Sequence, residues 1–159
     1  MSMEIELVKA ELEDLPLLIE WRARVLREVF AIPKDTDPTL LEQANRRYYE
    51  RHLPEDGHIA CFARDRKTGE VIGCGGVCLY QEMPSPDNPS GGCACLMNIY
   101  TRPAFRGHGV GRRIVEWLIA QARQRGITKI YLEASASGRP LYEKMGFSDM
   151  SGYLQLKGP

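Results

Sequence analysis

The sequence carries no excess of charge of either sign: 21 lysines and arginines balance 21 aspartates and glutamates over 159 residues. Proteins that coat nucleic acid or an acidic membrane surface present a broad basic field, so here any positive patch must be local. Long apolar runs are missing too. The opening MSMEIELVKA sets acids within a strand-like alternation where a signal peptide would have an apolar core, and no later stretch is apolar over the length of a bilayer span. A cytoplasmic protein with no membrane and no nucleic-acid partner is therefore expected. Histidine is scarce, limited to His52, His58 and His108, and the five cysteines, Cys61, Cys74, Cys78, Cys93 and Cys95, contain no C-x-x-C spacing. A zinc site and a disulfide framework both lack their signature, which leaves reduced thiols buried in strands and no metal as the expectation.

What is present is an alternation of strand and helix patterns in a chain long enough for one hydrophobic core, expected as one domain over residues 1–159. Residues 4–10 read as a strand. Asp14 as N-cap, Pro16 in the first turn and Leu15, Leu18, Val25, Leu26 and Val29 on one face predict a helix over 15–30, and a second helix is expected over 38–52. GHIACFARD and VIGCGGVCLY, joined by the turn RKTGE, predict a hairpin whose glycine-rich second arm is bulged. QEMPSPDNPSGG, residues 81–92, predicts a long irregular loop, either a mobile hairpin connection or a flap over a site. CACLMNIYT follows as a fourth strand. Val110, Ile114, Trp117, Leu118 and Ala122 then predict a helix over 109–125 stopped by Gly126. KIYLEAS is expected as a fifth strand, GRPLYEKMGF as a short helix ending at Gly146 and GYLQLK as a last strand, giving a mixed α/β order.

Between the fourth strand and the long helix lies AFRGHGVGRR, residues 104–113. Glycines at alternate positions let a backbone approach a ligand closely, and the free N–H groups of a helix start favour an anion. The spacing of Gly107, Gly109 and Gly111 is G-x-G-x-G, which fails the dinucleotide fingerprint G-x-G-x-x-G, and no G-K-[ST] follows to make a Walker loop. The stretch RGHGVG instead resembles the R/Q-x-x-G-x-G/A signature of the Gcn5-related N-acetyltransferase family. LYEKMGF, residues 141–147, is similar to that family's C-terminal helix and turn, and VKAELEDLPLLIEWR to its first strand and helix, so the resemblance runs from Ile5 to Leu156.

The resemblance implies a mostly antiparallel sheet splayed between its fourth and fifth strands and flanked by helices. It also implies acetyl-CoA as co-substrate, with the pyrophosphate on backbone N–H groups from Arg106 through Gly107, His108, Gly109, Val110 and Gly111 to Arg112. The pantetheine arm is expected against Ile99 and Thr101, with the thioester carbonyl near N–H groups around Ile99 and Tyr100. The side chains of Arg106 and Arg112 are candidates for phosphate contact, whereas Arg123 and Arg125 read as a solvated helix face. Tyr142 is the candidate acid from its place in LYEKMGF, and packing against the sheet is its alternative role. Glu133, alternating with Tyr131 and Ser135 along the fifth strand, is the candidate base; Glu82 in the loop is a weaker one, and a structural salt bridge is open for either. Ser135 stands where many relatives carry an asparagine that bonds the pantetheine. The expected reaction is acetyl transfer to the primary amine of a small molecule by direct attack in a ternary complex, by a monomer or homodimer. A protein N-terminus as acceptor and a non-catalytic acyl-CoA sensor are the alternatives.

Overall fold

The alternation of period-2 and period-3.6 patterns resolves into β1 (Ile5–Lys9), α1 (Leu15–Val29), α2 (Thr39–His52), β2 (His58–Asp65), β3 (Val71–Gln81), β4 (Gly92–Thr101), α3 (Val110–Gln124), β5 (Lys129–Leu132) and α4 (Arg139–Lys144). These elements belong to a computed structural model that describes residues 3–159. The strands form one sheet in the order β1-β2-β3-β4-β5, antiparallel throughout except for the parallel pair β4 and β5. Alternation along β2 divides the core between the two faces. Ile59, Cys61 and Ala63 lie with Ile114, Val115, Leu118 and Ala122 of α3, and Ala60 and Phe62 lie with Leu18, Trp21 and Val25 of α1 and Tyr49 of α2. Each large side chain fully buried in this way contributes about 1.5–3 kcal/mol.

The glycines of β3 let α3 sit close to the sheet. A Cβ at Gly75 would overlap Cγ2 of Ile114 and stand 3.1 Å from Cδ1 of Leu118. A Gly75→Ala variant is expected to lose about 1–3 kcal/mol, the range for overpacking a filled core. Urea unfolding measures it as a lower midpoint at unchanged slope; an unmoved midpoint would mean that α3 is not seated on β3.

Two irregularities shape the sheet. β3 carries an extra residue, Ile72, against the step from Ala63 to Arg64 on β2, which agrees with the bulge predicted for the glycine-rich strand. A second bulge lies on β4, where Met97 pairs with Gly76 and Tyr100 with Cys74, so that Asn98 and Ile99 together face Gly75. Asn98 adopts a left-handed φ of 58°, a conformation asparagine tolerates better than most residues. Past this kink β4 leaves its neighbour: the ladder with β5 covers only Cys93 to Leu96 against Lys129 to Leu132.

Several expectations are corrected. β5 ends at Leu132 and not at Ser135, because β4 has already turned away and residues 133–135 have no strand to pair with. Residues 152–157 form no strand: they lie in no ladder, Leu154 is fully exposed, and Tyr153 rests against the Lys129 ammonium, 5.3 Å from its ring centre. The 81–92 loop is folded on itself. Buried Asn88 donates from Nδ2 to the Gly92 carbonyl at 3.0 Å and to Glu82 at 3.2 Å, and Gln81 donates to the Ser90 carbonyl at 2.6 Å. Asp14 precedes α1 as predicted, but its carboxylate accepts the Glu11 N–H at 2.8 Å and does not cap α1. Cys61, Cys74 and Cys93 are buried, whereas Cys78 and Cys95 are partly exposed; all five are free thiols. Among the described residues no helix is long and apolar enough to cross a membrane.

Candidate active site

The glycine loop is built by backbone conformation. After a short 3-10 turn over Pro103–Phe105, Gly107 and Gly109 take φ of 83° and 82°, and Gly109 opens α3. A Cβ placed on either would meet nothing within 4 Å, so these positions are glycine for their left-handed backbone and for the open space above it. The first intrahelical bond is from the Arg113 N–H to the Gly109 carbonyl at 3.1 Å, which leaves the N–H groups of Val110, Gly111 and Arg112 without helical partners. Those of Gly107, His108 and Gly109 are also unbonded among the described residues. The imidazole of His108 turns back, its Nδ1 donating to the Arg106 carbonyl at 3.0 Å. A run of unpartnered donors at the positive end of a 15-residue helix fits a diphosphate.

The arginines differ in what they are free to do. Arg106 donates to the Thr101 carbonyl at 2.9 Å and pairs with Glu28 at 2.7 Å, so its side chain ties the loop to α1. Glu28 also accepts the hydroxyl of Tyr100, and this hydrogen bond, with the Arg106 guanidinium second, holds its carboxyl below the usual range. Among the described residues the Arg112 side chain makes only an exposed pair with Glu116 one turn along, at 2.9 Å, a pair weak enough for a phosphate to replace.

Where β4 and β5 part, a cavity of about 380 Å³ opens, lined among others by Arg22, Asn98, Ile99, Glu133, Ser135 and Tyr142. Two sequence candidates for proton transfer, Glu133 and Tyr142, thus share one cavity with the β4 bulge. Glu133 is exposed and lies one residue beyond β5, which corrects its expected place on that strand. Tyr142 projects from α4 with its ring edge-on to Phe147 at 6.0 Å between ring centres, and its hydroxyl has no partner among the described residues. Burial raises the phenol above its ordinary pKa, so it stays protonated at neutral pH. Ser135 is engaged locally, its Oγ accepting the Gly138 N–H at 3.1 Å in the turn that leads into α4. Glu82 is not in the cavity: both its carboxylate oxygens hold Lys129 at the far end of β5, at 2.9 and 3.0 Å, so the salt-bridge reading is the right one for it. No residue of the 81–92 loop lines the cavity.

Sequence reasoning missed Arg22 and Asn98. Arg22 donates from Nη1 to Asn98 Oδ1 at 3.0 Å and from Nε to Asn45 Oδ1 at 3.1 Å, bridging α1, α2 and the bulge. The Cys74 thiol donates to the Asn98 carbonyl at 3.3 Å. An asparagine inside the apolar run CLMNIYT was the available signal, since asparagine is depleted in regular strands. Among the described residues no three His, Cys, Asp or Glu side chains gather as a metal site.

A strand, a glycine anion cradle, a helix and a splayed pair of strands ending in a shared cavity define an acyl-CoA transferase architecture. The chain belongs to the Acetyltransferase (GNAT) family, whose sequence profile matches residues 19–147. It is similar to a predicted acetyltransferase from Clostridium acetobutylicum solved with acetyl-CoA, at 28% identity and a TM-score of 0.85 over 97% of this chain and 96% of that one. It is 26% identical to glucosamine 6-phosphate N-acetyltransferase of Arabidopsis thaliana over 69% of this chain and 72% of that one. It is 37% identical to the ribosomal protein bS18-alanine N-acetyltransferase of Escherichia coli over 72% of this chain and 64% of the relative. The protein is an acetyl-CoA-dependent N-acetyltransferase.

Proposed function

We infer that residues 1–159 act as one catalytic domain that acetylates the primary amine of a small molecule by direct attack in a ternary complex. The observation that carries the reading is the single cavity in which the β4 bulge, Glu133 and Tyr142 meet. Acetyl-CoA supplies the acetyl thioester. The N–H groups of Gly107 through Arg112 hold its diphosphate, with Arg112 as the available side chain, and the end of β4 from Ile99 to Thr101 runs beside the pantetheine. N–H groups around Ile99 and Tyr100 are donors for the thioester carbonyl. Glu133 takes the proton from the incoming ammonium, directly or through water, and Tyr142 gives its proton to the departing sulfur. One N–C bond forms and one C–S bond breaks; the ammonium gives up two protons, one through Glu133 to solvent and one that restores the Tyr142 hydroxyl after it has protonated the sulfur, so the products are the neutral amide, the CoA thiol and one released proton.

The relatives named above act on acceptors as different as an amino-sugar phosphate and a ribosomal protein. A cavity of about 380 Å³ lies at the small end of ligand sites and favours a small acceptor. Direct transfer is supported by the thiols. Cys61 is pushed up to about 12 by burial, and Cys95, the one that lines the cavity, is also raised mainly by burial, so little nucleophilic thiolate is present. Initial rates varied in both substrates are expected to give intersecting lines, and intact mass after acetyl-CoA alone to show no added acetyl group. Parallel lines together with a kinetically competent acetyl group on Cys95 would replace this mechanism with a two-step one.

A further inference from the structure

Arg22 differs from the ion-paired arginines near it in what holds its guanidinium. Arg24 pairs with Glu20 at 3.6 Å and Arg106 with Glu28 at 2.7 Å, whereas Arg22, half-buried, makes no ion pair among the described residues. Its two hydrogen bonds go to neutral amide oxygens, Asn45 Oδ1 and Asn98 Oδ1. The Asn45 amide is itself fixed, its Nδ2 donating to the Leu41 carbonyl at 2.9 Å. The guanidinium is thereby held from two sides, α2 and the β4 bulge, by partners that orient it and leave its charge uncompensated. No hydrogen bond engages its Nη2 among the described residues. A guanidinium has five N–H donors, of which two are used, and the rest form a fork suited to a carboxylate or phosphate.

The place of this charge matters. Arg22 lines the 380 Å³ cavity with Ile99, Glu133 and Tyr142, and it also lines a second hollow of about 710 Å³ between α1 and α2. Glu133 shares the first cavity with it, yet the two do not form an ion pair. One cavity therefore presents a cation on its α1 wall and an anion at the end of β5. A neutral amine would leave the cation unanswered, and an acceptor carrying both an ammonium and an anionic group answers both.

We propose that Arg22 selects the acceptor, and that the acceptor is an amine bearing a carboxylate or phosphate, its anion on the Arg22 guanidinium and its amine toward Glu133. This rests on the acetyl-transfer reading above and adds the substrate class to it. Arg22 is a specificity residue and takes no part in the chemistry.

The test follows CoA thiol release with matched pairs: an amino acid against its amide for the carboxylate arm, and an amino-sugar phosphate against the unphosphorylated amino sugar for the phosphate arm. In at least one arm, kcat/KM is expected to favour the anionic member by about ten-fold or more, as for a charge-assisted hydrogen bond. Arg22→Gln is expected to reduce that ratio by about ten- to a hundred-fold and Arg22→Lys, which keeps the charge, by less. The change in ratio between proteins cancels the different basicity of the paired amines. CoA titration of each variant verifies that its fold is intact. A wild-type ratio at or below one in both arms, or a ratio that Arg22→Gln leaves unmoved, overturns the proposal while acetyl transfer stands. Normal CoA binding with no thiol release from any amine overturns acetyl transfer, and the proposal with it.

Discussion

A Gly109→Val variant is expected to lose affinity for CoA by about a hundred-fold, the largest single effect on binding that the site predicts. Two causes act together. Gly109 sits at φ 82°, where a β-branched residue is strained by about 1–3 kcal/mol, so the backbone shifts and takes the neighbouring N–H groups out of register. The space above it is empty of protein, with nothing within 4 Å of an added Cβ, so the valine methyls project where the diphosphate is proposed to lie. Because that space is outside the core, the valine methyls overpack nothing in the fold and stability falls only by the backbone strain; Gly109→Ala, which adds strain with little bulk, weakens binding less than the valine does. Titration calorimetry with CoA reads both variants; an unchanged Kd for the valine variant would remove the loop from the binding site.

Tyr142→Phe is expected to lower kcat by about ten- to a thousand-fold, the range for losing a general acid and somewhat below it. Affinity for CoA should change little, since the ring and its edge-on contact with Phe147 at 6.0 Å remain. The effect is bounded because a thiolate whose thiol titrates near ~8.5 already leaves readily. The pH profile gives a second check. Burial raises the phenol above its ordinary value of 10.0, so it is protonated through the neutral range and an acid-dependent rate falls only as pH rises past that value. Unchanged turnover in the Phe variant, with chemistry rate-limiting, would leave Tyr142 the packing role that its contact with Phe147 also permits.

What the sequence made legible was local. The glycine loop could be read because left-handed backbone positions and a helix start both select residue types within a few positions of one another. α1, α3 and the β2–β3 hairpin followed from period and turn chemistry, and Tyr142 from a compact motif. The unread parts depend on contacts distant in the chain. Arg106 is 78 residues from Glu28, and nothing in AFRGHGVGRR announces that its guanidinium is held there. Arg22 sits within an amphipathic helix as one arginine among several, and its place in the cavity depends on Asn98, 76 residues away. The early end of β5 follows from a bulge on β4, and the missing last strand from the lack of any partner for residues 152–157. Glu82 could not be sorted from Glu133 by sequence alone, because Lys129, which holds Glu82, is 47 residues away.

One molecule of acetyl-CoA is expected to span the glycine loop and the cavity between β4 and β5. A crystal structure of the complex with acetyl-CoA reads this out. Its density is expected to place the diphosphate within hydrogen-bond distance of N–H groups between Gly107 and Arg112, the pantetheine beside Ile99 to Thr101, and the acetyl group in the cavity with Glu133 and Tyr142. Density placing the diphosphate away from the start of α3, or the acetyl group outside that cavity, would contradict it.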